Sequence, residues 1–173
     1  MEFKIGYDNY SYQFIILSNL TQFIIYIIGA YFLFLFGYIW VIIYVVFILI
    51  LEIRLLKMSC TNCYYYGKLC AFGKGKLSSA FFNKGNPRKF ILKQIKLIDI
   101  IPDFLVFLIP MFLGIYLVLT KFNFILLSLI VIIFFLGFIG NGIIRGSFAC
   151  KYCKQREIGC PAEQFFSKSK MDQ

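Results

Sequence analysis

The chain contains no histidine, which excludes imidazole metal ligands and histidine-based acid–base catalysis from the start. Acidic side chains are scarce: 8 Asp and Glu stand against 18 Lys and Arg, a formal net charge of +10. Charge of either sign is missing over long stretches. None occurs from Asn9 to Leu51, and between Phe104 and Ile144 the only charged residue is Lys121. A phosphate loop is lacking as well. The segment Gly73-Lys74-Gly75-Lys76-Leu77-Ser78-Ser79 fails the G-x-x-x-x-G-K-[ST] spacing, with Gly75 where the hydroxyl belongs. With 61% hydrophobic residues and a mean hydropathy of +0.81, an ordinary soluble domain is excluded.

What is present are two apolar blocks. A straight helix through the 43 uncharged residues Asn9–Leu51 would be about 65 Å long, roughly twice the hydrocarbon core of a bilayer. Each block therefore reads as a hairpin of two helices, predicting an all-α integral membrane protein with four spans near Tyr12–Gly29, Phe34–Leu56, Phe104–Thr120 and Asn123–Ile144. The first turn is poorly marked and falls somewhere between Gly29 and Gly37. A cleaved leader is not expected: Glu2 and Asp8 sit at the start, the apolar block is too long, and no small-residue cleavage site follows. With hairpins, both termini and the central segment 57–103 share one side, which, taken with Arg54 at the membrane edge, carries 17 of the 18 basic residues. The positive-inside rule makes that side cytoplasmic, predicting a multi-pass protein of the cell membrane. The basic side would meet anionic lipid headgroups. Nucleic acid is not expected as a partner, since no basic helix with interleaved base-stacking positions stands out.

All six cysteines fall on the predicted cytoplasmic side, in two copies of one spacing. Cys60, Cys63 and Cys70 read C-x2-C-x6-C, and so do Cys150, Cys153 and Cys160, ninety residues later. Each copy follows an apolar block. The predicted organisation is two tandem units, 1–103 and 104–173, each a hairpin followed by a cysteine knuckle. They would be parallel repeats about an axis along the membrane normal, which brings the knuckles together beneath a four-helix bundle. Between them, Pro87–Ile98 places Lys89, Lys93 and Lys96 opposite Ile91, Leu92, Ile95 and Ile98. This segment reads as an interfacial amphipathic helix or an early start of the third span.

In a reducing cytosol, clustered thiols point to metal or redox chemistry rather than structural disulfides. Three thiolates cannot close a tetrahedral zinc site alone, so the triplets read as two halves of one site built from Cys60, Cys63, Cys70, Cys150, Cys153 and Cys160. Either six thiolates hold two zinc ions with two sulfurs bridging, or Cys60, Cys63, Cys150 and Cys153 hold one. The spacing resembles that of the fungal binuclear zinc clusters of six cysteines. That resemblance covers only the two knuckles and implies Cys60 and Cys150 as bridges and Cys63, Cys70, Cys153 and Cys160 as terminal ligands. Here 79 residues separate the halves, which points to convergence, and DNA binding does not follow.

Iron–sulfur is the competing cofactor, although neither ferredoxin spacing is present. Thiol–disulfide chemistry is a further alternative. Four-span oxidoreductases of the disulfide-forming and vitamin K epoxide reductase type are similar in span number and C-x-x-C, but their reactive cysteines face the oxidising side. More broadly, Cys60-Thr61-Asn62-Cys63-Tyr64-Tyr65-Tyr66-Gly67 and Cys150-Lys151-Tyr152-Cys153 with Cys160-Pro161 resemble small prokaryotic four-span membrane proteins with paired C-x-x-C knuckles, a group that implies no particular activity.

Within the spans, Gly137, Gly140, Asn141, Gly142 and Gly146 form a small-residue face suited to close helix packing, and Pro102 and Asp103 read as a helix start. The resulting expectation is a zinc-stabilised membrane scaffold or adaptor with a protein partner still to be identified, or a metal or redox sensor. The alternative is a membrane redox protein. Enzymatic activity, if present, would be that of an oxidoreductase.

Overall fold

In the computed structural model, residues 6–92 and 97–161 are described. They are helical, with one isolated parallel bridge and no named strand among them. Four helices are long and apolar enough to cross a membrane: Tyr12–Phe34, Tyr38–Asn62, Ile98–Thr120 and Phe124–Ala149. We number the regular helices α1 (Tyr12–Phe34), α2 (Tyr38–Met58), α3 (Lys74–Phe81), α4 (Pro87–Ile91), α5 (Leu97–Thr120), α6 (Phe124–Phe134) and α7 (Lys154–Ile158). The fourth long helix continues α6 through two π-helical segments, Phe135–Gly140 and Ile143–Ala149.

The core lies where α1 meets α5. Ile25, Ile28 and Phe32 of α1 pack on Phe107 of α5 and on Leu126 and Ile133 of α6. A second cluster joins Leu33 of α1, Tyr44 and Ile48 of α2 and Val106 of α5. Helix α2 thus flanks α1, α6 flanks α5, and each outer helix also touches the inner helix of the other hairpin. Many of the other Leu, Ile, Val and Phe side chains on the long helices point outward; Ile27, Phe34, Ile50, Phe112 and Leu119 are all more than half exposed. An apolar exterior of this kind suits lipid rather than water.

Helix boundaries differ from those predicted at several points. The first turn falls at Leu35–Gly37, within the predicted interval but at its far end, so α1 runs past Gly29 to Phe34. Gly29 is a contact rather than a stop: a Cβ there would collide with the Tyr44 hydroxyl. The actual break is Gly37, whose φ of +129° is strongly disfavoured for residues with a side chain. Helix α5 begins by Leu97, so Pro102 and Asp103 lie inside it, and the reading of Pro87–Ile98 as an early start of the span holds from Leu97. The short α4 begins on an Asn86 cap with Pro87 in its first turn. Residues Lys93, Ile95 and Lys96 of the predicted amphipathic helix lie outside the described residues.

The fourth long helix reaches Ala149, five residues beyond the prediction. Of its small-residue face, Gly137 lies against Phe107, whose ring a Cβ at that position would meet at 3.0 Å, whereas a Cβ at Gly142 or Gly146 would meet nothing within 4 Å among the described residues. Asn141 accepts a hydrogen bond from Arg145 Nε at 2.9 Å.

Candidate metal centre

Both cysteine triplets begin where a long helix ends. Cys60–Asn62 forms a single 3-10 turn after α2, and Cys150 follows the π-helical end of the fourth long helix, where its N–H donates to the Arg145 carbonyl at 2.8 Å. From there the two backbones make matching turns. The Cys63 N–H donates to the Cys60 carbonyl (3.3 Å), and the Cys153 N–H donates to the Cys150 carbonyl (3.4 Å). The Tyr66 N–H donates to the Cys63 carbonyl (3.1 Å), and the Arg156 N–H donates to the Cys153 carbonyl (3.0 Å). Cys63 and Cys153 are both extended, at φ −84° and −87°.

The two knuckles lie against each other. Tyr10, Tyr65, Ala71 and Ala149 form one buried cluster, and Cys63, Cys70 and Cys153 all pack against it. Two hydrogen bonds cross between the knuckles. The Tyr64 N–H donates to Gln155 Oε1 at 2.7 Å, and the Lys154 N–H donates to the Tyr65 hydroxyl at 3.1 Å. Positions 64 and 154, like 65 and 155, are ninety residues apart. Gln155 is 4% exposed, and its Nε2 donates to the Gly159 carbonyl at 2.9 Å, so both ends of the amide are satisfied.

The segment before α1 clasps this junction. Tyr7 forms a parallel bridge to Cys153, with its N–H on the Tyr152 carbonyl at 2.9 Å and its carbonyl accepting from the Tyr65 hydroxyl at 2.6 Å. The Tyr10 N–H donates to the Leu69 carbonyl at 2.9 Å, while the Tyr10 hydroxyl donates to the Ala149 carbonyl at 2.5 Å. Asp8 holds Lys154 Nζ at 2.7 Å and accepts from the Tyr64 hydroxyl at 2.6 Å. Those bonds, Lys154's foremost, hold the Asp8 carboxyl below its ordinary range. Burial pushes the Tyr10 and Tyr65 hydroxyls far above theirs, so both stay protonated. The role of this N-terminal segment was invisible in the sequence, where Gly6–Tyr10 carries no motif.

The six thiols occupy different surroundings. Burial pushes the Cys63 thiol up to about 11 and the Cys153 thiol up to about 12. Backbone N–H groups oppose burial in both cases, those of Tyr65 and Tyr64 at Cys63 and those of Gln155 and Arg156 at Cys153. Cys63 is within electrostatic reach of Cys70 in its own knuckle and Cys160 in the other. Cys153 is within reach of Cys63 and Cys160. Cys70 Sγ accepts from the Gly75 N–H at 3.4 Å. Cys60 lies near Cys63 and Cys70, while Cys150 is exposed. Among the described residues, no three Cys, Asp or Glu side chains already converge to hold a metal ion.

Basic residues near the knuckles are engaged in part. Lys68 Nζ donates to the Tyr64 hydroxyl at 3.0 Å and lies 4.1 Å from that ring's centroid. Lys74 pairs with Glu52 at 2.6 Å, which ties α3 to α2 and gives the glycine-lysine segment a structural role. No family model, curated protein or solved structure matches the chain.

Proposed function

We propose that this is a multi-pass protein of the cell membrane whose termini and cysteine knuckles face the cytoplasm, where the thiols of both triplets form a metal module that takes zinc. In this reading the module ties two tandem units, 1–103 and 104–173, into one scaffold or adaptor that meets a protein partner, or into a sensor of metal or redox state. Anionic headgroups would surround its basic face. The observation that carries the reading is the pair of crossing hydrogen bonds, 64 to 155 and 154 to 65. Exchanging the two units leaves such a pair unchanged. The bundle supports the same symmetry, since α1 packs on α5 and each outer helix packs on its own inner helix.

The donor chemistry fits zinc. Thiolates are its preferred soft ligands, and N–H groups aimed at sulfur favour the thiolate form. No preformed site is required, because metal binding commonly completes folding and displaces the thiol protons. Thiol–disulfide catalysis is disfavoured by the same chemistry: a thiol raised to about 11 or 12 is a poor nucleophile at neutral pH.

Metal analysis and absorbance of anaerobically purified protein test the proposal. Bound zinc with a colourless spectrum is the expected result. Bound iron with a broad band near about 400 nm would move the reading to an iron–sulfur protein. Metal-free protein with reversible Cys60–Cys63 oxidation would sink both and favour a quinone-linked dithiol oxidoreductase.

A further inference from the structure

We propose that four of the six sulfurs, those of Cys63, Cys70, Cys153 and Cys160, hold a single tetrahedral ion, and that Tyr65 and Gln155 are the positioning residues that bring the two pairs together. This rests on the metal reading above and narrows it. It departs from both sets that the spacing suggested, the bridged six-sulfur cluster and the set of Cys60, Cys63, Cys150 and Cys153.

Several independent features select these four. Cys63, Cys70 and Cys153 pack on one buried cluster to which both knuckles contribute. Cys160 follows Gly159, whose carbonyl is held by the same Gln155 amide that accepts the Tyr64 N–H. That amide therefore fixes the residue after Cys63 relative to the residue before Cys160. The Tyr65 hydroxyl plays the reciprocal part, fixing the residue after Cys153 against the first knuckle. The Gly75 N–H supplies an outer-shell donor to the Cys70 sulfur at 3.4 Å, the kind of contact that orients and tunes metal-bound ligands. Cys150 is exposed, and Cys60 sits in the last turn of the membrane-crossing helix. Two sulfurs from each knuckle satisfy four-coordinate zinc without bridging.

The test uses the full-length protein in detergent, reduced and reconstituted with zinc or with cobalt(II) as a spectroscopic probe. One ion per chain is expected, with cobalt giving the intense visible bands of a four-sulfur tetrahedral site. The double variant Cys60→Ala, Cys150→Ser should keep that stoichiometry and spectrum, whereas Cys63→Ser or Cys160→Ser should lose them. Two ions per chain, or loss of the ion in the double variant, would overturn the four-sulfur site. No bound metal in the unaltered protein would instead overturn the parent reading.

For the positioning residues, Gln155→Leu and Tyr65→Phe should weaken cobalt affinity about 10- to 100-fold. At saturating cobalt the bands should also lose intensity or shift as the site distorts. Gln155→Glu, which keeps the acceptor for the Tyr64 N–H, should recover part of the loss. Wild-type affinity and bands in both Gln155→Leu and Tyr65→Phe would overturn the positioning role.

Discussion

A buried thiol and a metal-bound thiolate respond to pH in opposite directions, and the knuckles contain groups that make the difference measurable. In the metal-free chain, burial raises Cys63 to about 11 and Cys153 to about 12, against about 8.5 for a thiol in an unfolded chain. The folded state therefore retains protons that the unfolded chain releases. Their contribution to stability is complete below about pH 8.5 and is lost as pH rises through about 11 to 12. Metal-free protein should unfold more readily as pH climbs through that window, by tryptophan fluorescence or circular dichroism. The proposed metal uptake would run the other way, because it would expel the same protons, and zinc affinity should fall steadily as pH drops below neutral. Metal-free stability that stays flat between pH 8 and 11 would mean that the thiols are not buried as described.

At the scale of elements, the most informative feature is a hydrogen bond in the middle of the bundle. Pro110 sits inside α5 and has no N–H to offer the Val106 carbonyl four residues earlier. The Tyr44 hydroxyl of α2 takes that place, donating to the Val106 carbonyl at 2.7 Å. It gets there by passing over Gly29 of α1, so one interaction joins three helices. Tyr44→Phe should cost about 1–3 kcal/mol by leaving a buried carbonyl unpaired. Pro110→Ala restores a backbone donor, so Tyr44→Phe should be markedly less harmful in that background. A double-mutant cycle in detergent reads the difference. Strict additivity would show that the carbonyl does not need the hydroxyl. Gly29→Ala, which forces Tyr44 aside, should cost about 1–3 kcal/mol on its own.

This network also explains what could and could not be read from the chain. Helix number was legible because uncharged length is a direct measure of how often a chain can cross a bilayer. The first turn was not, because Gly29 and Gly37 look alike in sequence while one receives a neighbouring side chain and the other breaks the helix. Pro102 looked like a helix start for a similar reason: proline suits a first turn, and only tertiary support allows it deeper inside. In the candidate site the cysteines were legible from their spacing. Tyr65 and Gln155 were not, since a phenol and an amide share no residue-type signal. Only their matching positions in the two triplets, ninety residues apart, marked them.

For the whole molecule, the hairpins, the charge distribution and the knuckles make one joint requirement, that every cysteine lies on the side opposite the turn at Lys121. The described geometry fits this arrangement, since both triplets and the residues before α1 meet at one end of the bundle, while Lys121 lies between α5 and α6. A single reporter cysteine tests it in intact cells. With the six native cysteines replaced by serine, Lys121→Cys should react with a membrane-impermeant maleimide added from outside. A chain that keeps only Cys150, chosen because it is exposed, should react only after the membrane is opened. The reverse pattern would place the thiols on the oxidising side, where disulfides persist. It would replace the proposed cytoplasmic zinc module with a dithiol system, since the same four-span bundle, inverted, would present its C-x-x-C pairs to oxidants.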